Sequence, residues 1–454
     1  MILGATAAIG LGYQGLLQIV RTDALARFRT TGQDAKLDEG VVLKDFEFTT
    51  YEGKRLVAKA QVGEIKVRKD RSIVDMFAVT DGKYWASNGE SFRFSGDRAT
   101  YGYYSRALAA DAGARISNKD IDLMVPEFTY VEAQRTLVVP GTIKGKFYGG
   151  EITAENLKYN VEKRSYTTGK ISWQGQATVP EATTQKRMWQ ITGAESENEN
   201  DVMTTKNARA TDGEVIIKAD LVVWDRKTDV LTATGNVRYF GIEANMTCAK
   251  VVVYRKESRA ILTGKVHMLI KAEENQKLEE IEIPPLTPFV PDEIAKSRPT
   301  APPTGDRTQR DELRQPDSLR RYPATVQGDK VEYWYKKGSR RAVISGSPQA
   351  RQELTGGRWR MAWAHIAYYD GEKDWLKMVS REGKKDARFM TSLGDDLIAT
   401  VFEASTKKGD DNWRAKNMEG AVYADPDDDP PATGGGTTVP PPSIRGPIGS
   451  GRAG

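Results

Sequence analysis

Cysteine and histidine are nearly missing from this sequence: its 454 residues include one Cys, Cys248, and two His, His267 and His365. A disulfide within the chain is excluded, and a zinc, haem or iron–sulfur site would lack its soft and imidazole ligands. No metal and no cofactor is expected. A surplus of one charge is lacking as well, because 67 basic residues face 62 acidic ones, spread along the chain. A net charge of +5 is too weak a bias to point to nucleic acid. Catalytic signatures are missing too: there is no G-x-S-x-G elbow, no GxxxxGK[ST] phosphate loop, no HExxH and no CxxC. Neither histidine replaces them. His267 lies in an alternating strand in which Met268 takes the covered face, so it is expected to face solvent, and His365 in RMAWAHIAYY reads as a strand residue. The chain is expected not to be an enzyme.

Proline is scarce except in two places. Nine of the twenty prolines fall between Pro284 and Pro323 and seven between Pro426 and Pro447, which leaves Pro126, Pro140, Pro180 and Pro348 for the rest. Both segments are poor in strand formers and are expected to be an extended linker and a disordered tail. The acidic cluster Asp425 to Asp429 within the second has neither the glycine nor the distal glutamate of a calcium loop, and reads as a solvated charge run. At the other end, the first twenty residues, MILGATAAIGLGYQGLLQIV, carry no charge. A bilayer core needs about 20 apolar residues, so an N-terminal apolar helix serving as membrane anchor or signal segment is expected over residues 1–22. No Lys or Arg precedes this run while Arg21, Arg27 and Arg29 follow it. A basic region encoded upstream is therefore expected.

What the sequence does have is alternation. AENLKYN sets Leu157 and Tyr159 on one face, and TATGNVRYFG sets Ala233, Gly235, Val237 and Tyr239 against Thr234, Asn236 and Arg238. Period two over long stretches predicts a mostly β chain whose sheet has one covered and one wet face. The strands also share a grammar, in which an aromatic residue closes one strand, a charged turn follows, and the next strand carries a glycine. Tyr130 to Gly141, Tyr159 to Gly169, Trp224 to Gly235, Tyr254 to Gly264 and Tyr335 to Gly346 are separated by 11, 10, 11, 10 and 11 residues. Hairpins repeated at near-constant period predict an array in which each leans on its neighbours. The glycines read as bulges that let the strands curl. Asp220 and Glu155 ahead of their aromatics, and Asp329 ahead of Tyr333, read as structural for the same reason of repetition. A sheet curled in this way encloses an apolar trough suited to an acyl chain.

The segments ADLVVWDRKTDVLTATGNVRYFG (Ala219 to Gly241) and AKVVVYRKESRAILTGKVHM (Ala249 to Met268) resemble the OstA-like repeat of the periplasmic lipopolysaccharide-transport proteins, the LptA and LptC group. The run from about Phe46 to Val179 is similar in layout to the LptC-type domain, with YEGKRLVAKA, ESFRFSGDRATYGYYSRAL and the hairpins around Tyr130 and Tyr159. The resemblance implies elongated, twisted β-jelly-roll arrays of repeated hairpins, open like a folded taco. It implies an LptC-like jelly-roll over 40–180, an LptA/OstA-like one over 188–425 interrupted by a proline-rich linker at 282–323, and a tail at 426–454. It implies further a non-catalytic periplasmic bridge, anchored to the inner membrane, that carries lipopolysaccharide or a related glycolipid to the outer membrane. The partners it implies are an inner-membrane ABC transporter and other jelly-roll proteins joined by edge-strand pairing, with no nucleic acid.

The lipid-binding groove is expected to use the covered-face residues near the aromatic and glycine positions: Leu157, Tyr159, Ile171, Trp173, Val222, Trp224, Val237, Tyr239, Val252, Tyr254, Val266, Met268, Val331 and Tyr333. Val237→Asp or Val266→Asp is expected to abolish lipid retention without unfolding. Lys144, Lys146, Arg238 and Lys265 are candidate rim cations for lipid phosphates, or else ordinary solvated strand positions. Two other readings stand beside the bridge: a structural β-solenoid scaffold that assembles edge to edge, and an extracytoplasmic enzyme acting on polysaccharide through paired carboxylates.

Overall fold

A computed structural model describes residues 39–422, apart from 87–88, 112, 180–181, 285, 287–311 and 337. The expected N-terminal helix, most of the proline-rich stretch and the tail lie outside the described residues. No helix among the described residues is long and apolar enough to cross a membrane. Among the described residues the chain is mostly β, with thirty strands in antiparallel pairs, and it divides into two compact units. One comprises the residues up to Gly145 with Leu157–Glu162, and the other Lys146–Asn156 with the residues from Lys163 on.

In the first unit β1 (Glu39–Glu52), β2 (Arg55–Arg68), β3 (Ile73–Trp85) and β4 (Ser91–Gly102) pair in order. β4 then serves two shorter strands, β5 (Ala107–Asp111) along Arg98–Gly102 and β6 (Ala114–Ser117) along Arg93–Ser95. These lead to β8 (Phe128–Val131) and β7 (Ile121–Val125), and both reach β9 (Thr136–Phe147). A sheet that splits and rejoins in this way turns one face inward, and here that face is filled. Tyr84 stacks on Phe92 at 5.3 Å between ring centroids and meets Tyr130 at 4.4 Å, while Phe94 meets Phe128 edge-on at 6.2 Å. Rings so placed add about 0.5–1.5 kcal/mol per pair beyond the area they bury.

Ion pairs join the turn after β1 to the turns after β4 and β8. The Glu52 carboxylate accepts from Arg55 and Arg106, and Arg55 also donates to Glu132 at 3.1 Å. Hydrogen bonds from Arg55 and then Arg106 hold the Glu52 carboxyl below its ordinary value of 4.5. A depressed carboxyl stabilises the fold above its unfolded pKa, and that contribution is lost as pH falls through the folded value. Acidification below about pH 4.5 is therefore expected to weaken the first unit slightly, in a salt-sensitive way. In Glu52→Gln this part of the acid sensitivity should vanish, as read from urea midpoints at about pH 6 and about pH 3.

The second unit takes up the chain at Lys146, and β10 (Gly150–Asn160) belongs to it as far as Asn156. β10 pairs with β12 (Ile171–Val179), and β11 (Ser165–Thr168) pairs with β14 (Glu195–Glu199). β12 pairs with β13 (Ala182–Gly193), and β13 and β14 both meet β15 (Val202–Thr211). Five long strands follow in order: β16 (Val215–Asp225), β17 (Val230–Gly241), β18 (Ala244–Tyr254), β19 (Arg259–Ile270) and β20 (Ala324–Trp334). β20 then feeds two ladders. Lys330–Trp334 begins a first ladder through β21 (Arg341–Ser345), while Ala324–Gln327 begins a second through β22 (Gln349–Glu353) and β23 (Trp359–Trp363). The first continues through β24 (Ile366–Asp370) and β25 (Trp375–Val379), and the second through β26 (Ala387–Thr391) and β27 (Asp396–Ala399). β28 (Val401–Ser405) and β29 (Trp413–Lys416) end the first ladder, and β30 (Glu419–Ala421) ends the second.

The long strands bend where these two ladders diverge. Register shifts fall between Lys218 and Leu221, Thr234 and Val237, Thr247 and Lys250, and Thr263 and Val266, a row of bulges across successive strands. β17 and β19 each insert one extra residue there, at Gly235-Asn236 and Gly264-Lys265, and all four of these residues have positive φ. An extra residue in left-handed conformation kinks a strand, and glycine takes that conformation without a Cβ penalty. The recurring acids stand opposite the glycines. A Cβ on Gly235 would lie 2.5 Å from the Asp220 carboxylate, one on Gly346 would lie 2.4 Å from the Asp329 Cβ, and Gly169 N–H donates to the Glu155 carbonyl at 2.7 Å.

One expectation needs correcting. The C-terminal part of the presumed linker, 312–323, is not extended: residues 312–314 form a helical turn and Pro316–Arg320 a 3-10 helix. Leu313 anchors it against Leu354, Leu393 and Tyr322. Its prolines suit a helix start as well as a linker, and here one of them stands at the first helical position.

Candidate functional site

Cross-strand partners share a face, so the registers sort the second unit's residues into inner and outer sets. One buried cluster joins Ala233, Leu262 and Val331 from one side of the bend to Val237, Val266, Met268 and Val326 from the other, with Ala219 and Cys248 at the bend itself. Residues from both halves of the bent strands therefore face each other. Small side chains occur where the halves converge, and Ala387 and Ala399 recur at the corresponding place in a second cluster with Phe402.

Two inner rows run along the first half of the sheet. Val222, Ala233, Val251, Leu262, Val331 and Ile344 are successive partners in one, and Trp224, Leu231, Val253, Ala260, Tyr333 and Ala342 in the other. Beyond the bend, Ile217, Tyr239, Met246, Met268, Val326 and Ala350 form a third. Ile171 and Trp173 pair with Gly193 and Ile191, and Ile191 leads through Ala210 to Ile217, which places them on the same face. The Trp173 ring lies against Gly150 and Gly175 and its indole N–H donates to the Phe147 carbonyl at 2.9 Å. Val222, Trp224, Tyr239 and Tyr333 are half-buried, so this inner face retains apolar surface open to solvent.

Four of the fourteen expected groove residues lie elsewhere. Leu157 and Tyr159 belong to the first unit and are 0% and 2% exposed, in an interior already filled by its own side chains. Val252 pairs with Thr232 and Ile261, and Tyr254 with Val230 and Arg259, on the outer face. The bulge is the physical reason. β17 has an extra residue, so Ala233 and Val237 stay on one face, whereas β18 has none and its inner set changes from Met246 and Cys248 to Val251 and Val253. A one-residue shift moves a strand's whole apolar set to the other face. The spacing carried that signal: Trp224 stands 11 residues before its glycine and Tyr254 only 10, so Val253 is the counterpart of Trp224. Leu231, Met246, Val251, Leu262 and Ile344 share the inner face as well, and of these Val251 is the one that the count picks out.

Tyr254 instead helps build the outer face. Tyr254, Arg259, Trp334 and Arg341 are successive cross-strand partners, with Arg259 4.6 Å from the Tyr254 ring centroid and Arg341 4.3 Å from that of Trp334. Each such contact contributes about 0.5–1 kcal/mol at an exposed site. The rim cations do not gather at the mouth of the inner face. Arg238 is on the outer face beside Glu282 at 3.6 Å, Lys265 is on the bend, and Lys144 and Lys146 are exposed on β9. His267 pairs with Thr247 and Gln327 on the outer face, and His365 is exposed between β23 and β24. Cys248 is buried at the bend, and that burial pushes its thiol up to about 11. The buried carboxylates Asp395, Asp396 and Glu403 are paired with Arg314, Arg388 and Arg414.

Comparison with protein-family models finds no match, and comparison with curated proteins finds none either.

Proposed function

We propose that the second unit holds the acyl chains of lipopolysaccharide or a related glycolipid along its inner face, as a non-catalytic bridge in the periplasm. The observation that supports this most is the set of inner rows, apolar from β16 to β21 yet half-buried at Val222, Trp224, Tyr239 and Tyr333. Each methylene buried there contributes roughly 0.8 kcal/mol, so ten would supply about 8 kcal/mol before ordering costs. Apolar contact alone can carry the affinity. The taco-like jelly-roll, the inner-membrane anchor and the driving ABC transporter belong to the same reading.

Protein purified from an envelope fraction is expected to retain glycolipid or fatty acid in native mass spectrometry. Val222→Asp combined with Val251→Asp, both at half-buried positions, should release it while the fold survives. Ligand-free wild-type protein from that fraction would sink the proposal. A second reading, edge-to-edge assembly, draws on β1, where Val41 is 51% and Phe46 41% exposed. A long strand with exposed apolar residues is a template for pairing, and polymers that grow with concentration in ligand-free protein would favour it.

A further inference from the structure

We propose that Glu312–Tyr322 is a displaceable strap that closes the inner face of the second unit, and that an apolar chain must lift it to occupy the far end of the inner rows. The ligand in this statement rests on the lipid reading above; the strap itself does not.

The strap is fastened to both ladders. On the second, Gln352 and Arg360 stand two residues beyond Ala350 and Ala362 on the same face, at the end of the Tyr239–Val326 row. The Gln352 amide donates to the carbonyls of Leu319 and Tyr322, both at 2.8 Å. Arg360 donates through Nη1 to Ser318 Oγ at 2.8 Å and to the Gln315 carbonyl at 3.2 Å, and through Nε to Gln352 Oε1 at 2.7 Å. Arg314 adds a bidentate pair with Asp395, at 2.8 and 3.0 Å. On the first ladder, Arg320 pairs with Asp374, which also accepts from the hydroxyl of Tyr369 at 3.1 Å. Tyr369 is the partner of Ala342 in the Trp224–Tyr333 row, so its side chain is on the inner face. The strap thus reaches from one ladder to the other across the face that a ligand would use.

Ion pairs hold its start, Arg314 with Asp395 and Glu312 with Arg358 at 3.3 Å, whereas its middle is held by neutral acceptors. Arg360 is 4% exposed and donates to neutral acceptors, with the Glu312 carboxylate acting on it only at longer range. Its Nη2 has no hydrogen-bond partner. Burial lowers its pKa to about 10, the direction expected for a cation kept from water by neutral acceptors. Lifting the strap returns this guanidinium to solvent, which offsets part of the hydrogen bonding that is lost. The first-ladder anchor is weak as well, because Arg320 and Asp374 are 39% and 34% exposed. A closed state held in this way can open locally while the sheet stays folded.

The test uses the full chain carrying Leu354→Cys, a position covered by Leu313. The native Cys248 supplies a slow background, being buried with its thiol at about 11. Maleimide labelling at position 354 is expected to be slow, and about tenfold faster when Arg314→Ala and Arg320→Ala release the strap, with unchanged circular dichroism. cis-Parinaric acid should speed labelling in the chain that keeps both arginines, and should be taken up more readily by the released one. Should the double variant fail to fold, Asp374→Asn releases the first-ladder anchor alone. Labelling that ignores the anchor variants would overturn the strap. Labelling that rises while no form takes up parinaric acid would uphold the strap and overturn the lipid reading.

Discussion

Val266→Asp is expected to unfold the second unit rather than empty its trough. Val266 is 0% exposed, in the cluster that joins both halves of the bent strands, opposite Gly328. Removing the valine forfeits roughly 1.5–3 kcal/mol of burial. The carboxylate that replaces it is buried without a partner, a cost of several kcal/mol, or else stays protonated at a similar penalty. The sum rivals the roughly 5–15 kcal/mol that holds a typical domain together. Lys265 next to it is exposed on the bend and so offers the buried carboxylate no buried partner. Urea unfolding followed by near-UV circular dichroism should show the second unit's transition lost or shifted far toward zero denaturant. A wild-type midpoint would mean that water already reaches the bend. Val237, 2% exposed in the same cluster, should behave alike, so the expectation that either aspartate spares the fold is corrected by their burial. Loss of lipid in these variants would report unfolding, whereas Val222 and Val251, half-buried in the next inner row, report on the trough.

The same contrast shows how far the residues could be read without coordinates. Alternation around Leu157, Tyr159, Val237 and Tyr239 announced a β chain, and the near-constant distance from aromatic to glycine marked the row of bends. What alternation could not decide was which face a strand presents beyond its bend. That depends on whether the strand carries the extra residue, as β17 does and β18 does not. Nor could it decide whether an inner face is filled. Tyr84, Phe92 and Tyr130 close the first unit with residues from three separate strands, a meeting that only the pairing order brings about. The strap stayed hidden for a compositional reason. Its fastenings are Gln352, Arg360, Asp374 and Asp395, all distant in sequence and polar, so the stretch from Glu312 reads like the proline-rich residues before it.

Gly346→Ala tests the bend itself, and its effect is expected to be large. Gly346 has φ +82°, and an added Cβ would lie 2.4 Å from the Cβ of Asp329. Left-handed backbone costs a residue with a Cβ about 1–2 kcal/mol. The contact adds to this, because the atom it meets is fixed to the backbone of β20 and cannot swing aside. A total near 3 kcal/mol is expected, read as a lowered urea midpoint. Gly338 supplies the control: its φ is +86°, but a Cβ there meets nothing within 4 Å. Gly338→Ala should therefore cost only the backbone part, about 1 kcal/mol. Adding Asp329→Gly to Gly346→Ala removes the opposing Cβ and should recover the steric part, so the pair should couple by more than about 1 kcal/mol in a double-mutant cycle. Equal losses at Gly346 and Gly338, with no coupling to position 329, would show that backbone conformation alone demands the glycine. Unequal losses with coupling would show that the Cβ of Asp329 is what demands glycine at 346. At Asp329 and at Asp220 the chain sets a short side chain where the neighbouring strand can approach only if it carries none.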